Sequence, residues 1–249
     1  MRTIARLSAA FQLVDGYSKE GVKGASFLVD GVPVPFVAKP DGTYVFSNLP
    51  ILPHTYQMTV PGYLPVQRTL PARPEFFPEV VILQHSPEGP LLQRIACFHL
   101  RFLVEEQPVR RETVEVMLGN PAGGLRLLEK APRGAWQVKV AAKGKGLLFQ
   151  HYRGKKSGEE VLFTGYDEGE GLFQLWKPLG QELDKGELLC PLWRLRTDGD
   201  GKAILPAIGA FLPKEDGELY FALGSKKATL QTAAPSPSLS CTIHLKEEE

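Results

Sequence analysis

Pro40-Asp41-Gly42-Thr43-Tyr44-Val45-Phe46-Ser47-Asn48-Leu49-Pro50 is the stretch from which the rest of the chain can be read. Asp-Gly supplies a tight turn, because glycine accepts a positive φ without a steric cost. The residues after it alternate, with Tyr44 and Phe46 on one side of a strand and Thr43 and Val45 on the other. Pro50 then ends the ladder, since proline has no N–H to donate. Val60-Pro61-Gly62-Tyr63 marks the next reversal. This punctuation predicts short antiparallel strands.

Working outward, Phe11 and Leu13 share one strand face, and Phe27 and Val29 share another. Asp15-Gly16 and Asp30-Gly31 provide reversals between them. Tyr56–Val60, Val66–Leu70 and Val80–Leu83 read as further strands. Six or seven short strands at this spacing indicate a β-sandwich, and no segment shows a capped helical period. The expected fold class is therefore all-β: a seven-stranded sandwich over residues 1–86, followed by a second β-rich domain over 91–249. Ser86-Pro87-Glu88-Gly89-Pro90 is the linker, because two prolines and a glycine suit neither helix nor sheet interior.

Beyond the linker, Ala96, Phe98, Leu100 and Phe102 line one face of a strand, and Trp136, Val138 and Val140 line another. Lys143-Gly144-Lys145-Gly146 is read as a turn, with Leu147 to Gln150 returning as a strand. Leu172–Trp176, Leu192–Leu195 and Leu219–Leu223 continue the pattern. Thr197-Asp198-Gly199-Asp200-Gly201 feeding Lys202–Pro206 repeats the scheme of the opening motif, which raises a diverged sandwich over 165–245 as an alternative.

Composition bounds the function. An apolar fraction of 43% and a charged fraction of 23% in 249 residues are those of a globular protein. Lys+Arg 29 against Asp+Glu 28 gives no field to attract nucleic acid or an anionic membrane. No apolar run reaches the roughly 18 residues of a membrane span. The start of the chain lacks the apolar segment of a secretory signal, so the expected location is the cytoplasm, or export without a leader as part of a particle. Cys97, Cys190 and Cys241 are odd in number and widely spaced, which suits reduced thiols.

Residues from Phe11 to about Leu83 resemble the carboxypeptidase-regulatory-like domains, a transthyretin-like, prealbumin-type sandwich group. The match is carried by Phe11-x-Leu13-Val14-Asp15, Val22-x-Gly24-Ala25, Asp41-Gly42-x-Tyr44-x-Phe46-x-x-Leu49-Pro50 and Pro61-Gly62-Tyr63. The resemblance implies an accessory, spacer or interaction role. Many members are exported, whereas this sequence shows no signal. Residues 91–249 resemble no recognised family.

The motifs that suggest chemistry are incomplete. Tyr152-Arg153-Gly154 matches part of the tail of transthyretin-like hydroxyisourate hydrolases, but Lys155-Lys156 follows it, far from the carboxyl terminus. Asp198, Asp200 and Gly201 start like a calcium loop, yet Lys202 and Gly209 stand where oxygen ligands belong. Cys97 and His99 share a strand face without a second pair to complete four ligands. No catalytic, metal or cofactor residue is therefore expected, and no cofactor.

Lys130–Lys156 carries eight basic residues and no acidic one, with Trp136, Phe149 and Tyr152 interleaved. That pattern suits single-stranded nucleic acid. Lys139 alternates with apolar neighbours on a wet strand face, and Glu159–Glu170 brings five acidic residues in compensation, so nucleic acid is disfavoured. Trp176 and Trp193 lie on leucine-rich strands and are read as core, with a sugar-stacking platform as the alternative.

The expected function is a non-enzymatic structural or protein-interaction module within a larger assembly, with a carbohydrate-binding accessory module as the alternative. Its expected contact is Phe76-Phe77, which stand between Pro74 and Pro78 in a loop suited to meeting a protein partner.

Overall fold

In the computed structural model the Asp41-Gly42 turn forms where the sequence places it. Gly42 has φ 83°, and a Cβ there would come within 2.8 Å of the Leu13 carbonyl oxygen. Backbone conformation and close approach both require glycine. The structure describes residues 5–75, 78–87, 91–92, 94–95, 97–119, 124–206, 217–232 and 238–247. The chain divides into two compact units, Met1–Pro90 and Leu91–Glu249.

Unit 1 contains β1 (Leu7–Asp15), β2 (Ser26–Val29), β3 (Val32–Pro33), β4 (Val37–Ala38), β5 (Thr43–Ser47), β6 (His54–Thr59), β7 (Val66–Leu70) and β8 (Glu79–Leu83). They form two four-stranded sheets, β4-β5-β1-β8 and β3-β2-β6-β7. Among the described residues the unit has eight strands, of which β3 and β4 are two-residue pieces and six are longer. Pro33 ends β3 and Pro35 interrupts the crossing between sheets, each removing a donor. β8 lies parallel to β1, while the other pairs are antiparallel.

The sheets face each other through Phe11, Tyr44 and Phe46 on one side and Phe27, Tyr56 and Met58 on the other. Ring centroids stand 4.8 Å apart for Phe11–Tyr56 and 5.0 Å for Phe27–Tyr44. The buried Tyr44 hydroxyl donates to the Val22 carbonyl and accepts from the Ala25 N–H, both at 3.1 Å. A buried phenol without those partners would be costly. By alternation the first sheet turns Val37, Thr43, Val45, Ser47, Ala10, Gln12, Val14, Val80 and Ile82 away from that core, and none is charged.

Unit 2 contains β9 (Cys97–Val104), β10 (Gln107–Pro108), β11 (Thr113–Leu118), β12 (Leu125–Arg126), β13 (Gln137–Val138), β14 (His151–Gly154), β15 (Glu160–Asp167) and β16 (Leu172–Leu175). It continues with β17 (Leu188–Arg196), β18 (Lys202–Pro206), β19 (Gly217–Leu223), β20 (Lys226–Thr232), β21 (Ser238–His244) and β22 (Lys246–Glu247). Its smaller sheet has β9 between β18 and β10, with β21 also paired to β9. The larger runs β13-β16-β15-β14-β17-β11-β19-β20-β22, with β12 on β17. Phe98, Leu100 and Phe102 pack with Val114, Val116 and Phe221 between the sheets. A further core gathers Tyr152, Val161, Phe163 and Phe173 under the β13–β17 end.

Two local readings change. The turn expected over 143–146 runs on into a 3-10 helix at Lys145–Leu147, so Leu147 to Gln150 form no strand and β14 begins only at His151. Gly144 at φ 100° and Phe149 at φ 54° break the extended backbone on either side. Trp136 does not join Val138 and Val140 in the core but is 51% exposed, because β13 is the edge strand of its sheet.

Candidate functional site

Phe76 and Phe77, the expected contact residues, lie outside the described residues. Two clusters of ionisable side chains that the sequence did not reveal stand elsewhere.

The first is centred on Asp15, at the end of β1. Its Oδ1 accepts from the N–H groups of Tyr17 (2.7 Å) and Ser18 (2.8 Å). Its Oδ2 accepts from the Tyr63 hydroxyl (2.5 Å) and lies 2.6 Å from His85 Nε2, whose proton that contact fixes. The His85 ring lies between Tyr17 and Tyr63, at centroid distances of 5.0 and 4.4 Å. Burial pushes the Asp15 carboxyl up, but the hydrogen bonds from Tyr63, Ser18, Tyr17 and His85 outweigh it and hold it below the ordinary value. Burial also lowers the Lys19 ammonium to about 8, against the pull of Asp15. Four donors occupy this carboxylate, and the Tyr63 phenol is kept protonated by burial and by Asp15. The centre therefore ties together the end of β1, the turn at 61–63 and the chain leaving β8.

The second cluster lies on one face of the large sheet. Arg153 binds Glu115 through two nitrogens, at 2.7 and 3.0 Å. Arg194 binds Glu160 at 2.9 and 2.6 Å and reaches Glu115 Oε1 at 3.0 Å. His151 Nδ1 stands 3.0 Å from Glu160 Oε1. The four charges span β11, β17, β14 and β15, and the register sets buried Leu192 and Cys190 on the same face. Hydrogen bonding to Arg153 holds Glu115 below its ordinary value against burial. For Glu160 burial is the larger influence and opposes ionisation, yet His151 and Arg194 together hold it well below the glutamate range. Acids kept ionised and guanidinium groups already bound offer no proton to a reaction near neutrality. This is a cross-strand clamp.

The basic stretch is internally neutralised at three points: Lys130 on Glu182 (2.7 Å), Lys139 on Glu129 (3.4 Å) and Arg153 on Glu115. Tyr152 is buried in the core. Asp198 Oδ1 accepts from the N–H groups of Asp200 and Lys202, so its acidic loop is a hydrogen-bonded turn. Cys97 is buried, with Sγ against the Leu92 and Ile95 carbonyls, while His99 is exposed. Among the described residues no group of three metal-ligating side chains gathers. Trp193 packs against the core between the sheets, and Trp176 is half-buried. No described helix is long and apolar enough to cross a membrane.

Exposed large apolar side chains concentrate in unit 1. Of seven among the described residues, Leu7, Val32, Val37, Ile51 and Leu52 lie there, and only Leu128 and Trp136 in unit 2. Val32 and Val37 are 60% and 63% exposed, on the short edge pieces β3 and β4.

No family model and no curated protein sequence matches the chain. Among solved structures, the Bacillus anthracis TIE protein aligns with 97% of the chain at 11% identity and a TM-score of 0.26. The chain spans about a third of that protein's length, covering 34% of it, and so slight a likeness carries no argument about fold or function.

Proposed function

We propose that this chain is a non-enzymatic structural or protein-interaction module of a larger assembly, with its contact surface on unit 1. We infer with it that unit 1 is a carboxypeptidase-regulatory-like, prealbumin-type sandwich. Support for the sandwich comes from the glycine-dependent Asp41-Gly42 turn and the aromatic core between two sheets. The functional reading is carried by the concentration of exposed apolar side chains on unit 1, which is the smaller unit. Exposed apolar side chains offer area that a protein partner can bury.

Leu7→Asp combined with Val37→Asp tests this. Both side chains are exposed, so folding stability should change by no more than about 0.5 kcal/mol per site. Chemical cross-linking in extract of the native cells should show the wild-type chain in a larger complex and the variant largely free. Identical cross-linked profiles for the two proteins would refute the contact surface.

A further inference from the structure

The face of the large sheet that carries the Glu–Arg clamp continues onto β15, β16 and β13, where Asp167 at the end of β15 carries a charge, its Oδ1 accepting from the N–H groups of Gly169 and Glu170. Gln137 and Gln174 stand directly opposite each other across β13 and β16. Both are exposed, and neither amide takes a hydrogen bond from the protein. Gly165 is the register partner of Gln174 on β15. A Cβ at Gly165 would come 2.7 Å from Gln174 Oε1, so the glutamine side chain lies over the glycine backbone. The Trp176 N–H donates to the Leu162 carbonyl at 2.9 Å, which extends the β15–β16 ladder by one residue. Trp176 thus follows Gln174 along the same face, with its indole half-buried.

Two adjacent free amides offer donors and acceptors at once, and an indole offers a flat apolar surface with a polar edge. Charge complementarity points away from an anionic ligand: the clamp's acids and arginines neutralise each other, Lys139 at the edge is paired with Glu129, and Asp167 adds a carboxylate to the same face. We propose that this face binds a neutral polysaccharide, with Gln137 and Gln174 hydrogen-bonding its hydroxyls and Trp176 packing against a sugar ring. The site is independent of the contact surface proposed on unit 1. A surface for nucleic acid or an acidic polymer would instead present uncompensated cations.

Affinity electrophoresis of the full chain through gels containing a soluble β-glucan, an α-glucan or a mannan provides the test, with a sulfated polysaccharide as the charged comparison. At least one neutral polymer should retard the wild type, equally at low and high salt. Gln137→Ala with Gln174→Ala should weaken that retardation about tenfold or more, the equivalent of two lost hydrogen bonds, with no change in melting temperature. Trp176→Ala should weaken it too; if that variant fails to fold, the glutamine pair alone decides. Trp136→Ala should leave it unchanged, because alternation sets that residue on the other side of β13. The proposal is overturned by no retardation in any neutral polymer, by full retardation of the glutamine double variant, by dependence on Trp136 without dependence on the glutamines, or by binding confined to the sulfated polymer and abolished by salt.

Discussion

Tyr44→Ser is expected to destabilise unit 1 by about 3–5 kcal/mol, and Val45→Thr by less than about 1 kcal/mol. Tyr44 is buried among Phe27, Phe36 and the second sheet, and its hydroxyl joins the Val22 carbonyl to the Ala25 N–H. Serine removes the ring, leaves a cavity and orphans both backbone groups. Val45 points away from that core and is half-buried. Urea denaturation followed by circular dichroism measures both. Equal losses would show that β5 is equally buried on its two faces, which contradicts the register.

Arg194→Met should cost about 1–3 kcal/mol, less than the 3–5 kcal/mol typical of breaking a fully buried pair, because the clamp is half-buried. Methionine keeps much of the apolar stem while leaving Glu115 and Glu160 without their shared cation. The pH dependence carries a second signature. Both carboxyls are held below their ordinary 4.5 in the folded protein. Between the folded and unfolded values the unfolded chain binds more protons, so the clamp's contribution is full above about pH 4.5 and declines as pH falls below it. With Arg194 gone, Glu160 in particular is held less low, and the loss of stability from pH 5 to pH 3 should be shallower than in the wild type. Parallel stability curves would mean that Arg194 contributes no charge stabilisation.

Local features were legible in the sequence. The Asp-Gly turns, the alternation of Tyr44 and Phe46, and the Phe98–Leu100–Phe102 face are properties of adjacent residues, and the structure has them. The short pieces β3 and β4 were not anticipated, because two residues carry no periodicity. Leu147 to Gln150 looked like a strand on apolar content alone, but Phe149 takes a positive φ and its N–H donates to the distant Phe163 carbonyl at 2.8 Å. Both charged clusters escaped for one reason. Asp15 meets residues 48 and 70 positions away, and Arg194 meets partners 34 and 79 positions away. Asp15 read as a turn residue, and Arg153 and Glu160 as members of a basic stretch and an acidic run. A signal did exist in Glu115 and Arg194, charges inside apolar strand segments, but pairing them with Arg153 and Glu160 required the strand order.

Residues 1–90, produced alone, test the central claim that unit 1 carries the contact surface. All its described strands pair within the unit, and its core closes between its own two sheets. The fragment should unfold cooperatively with a β-type circular dichroism spectrum, and chemical cross-linking in native extract should place it in the same larger complex as the full chain. A cooperatively folded fragment that stays free, while residues 91–249 enter the complex, would contradict the account.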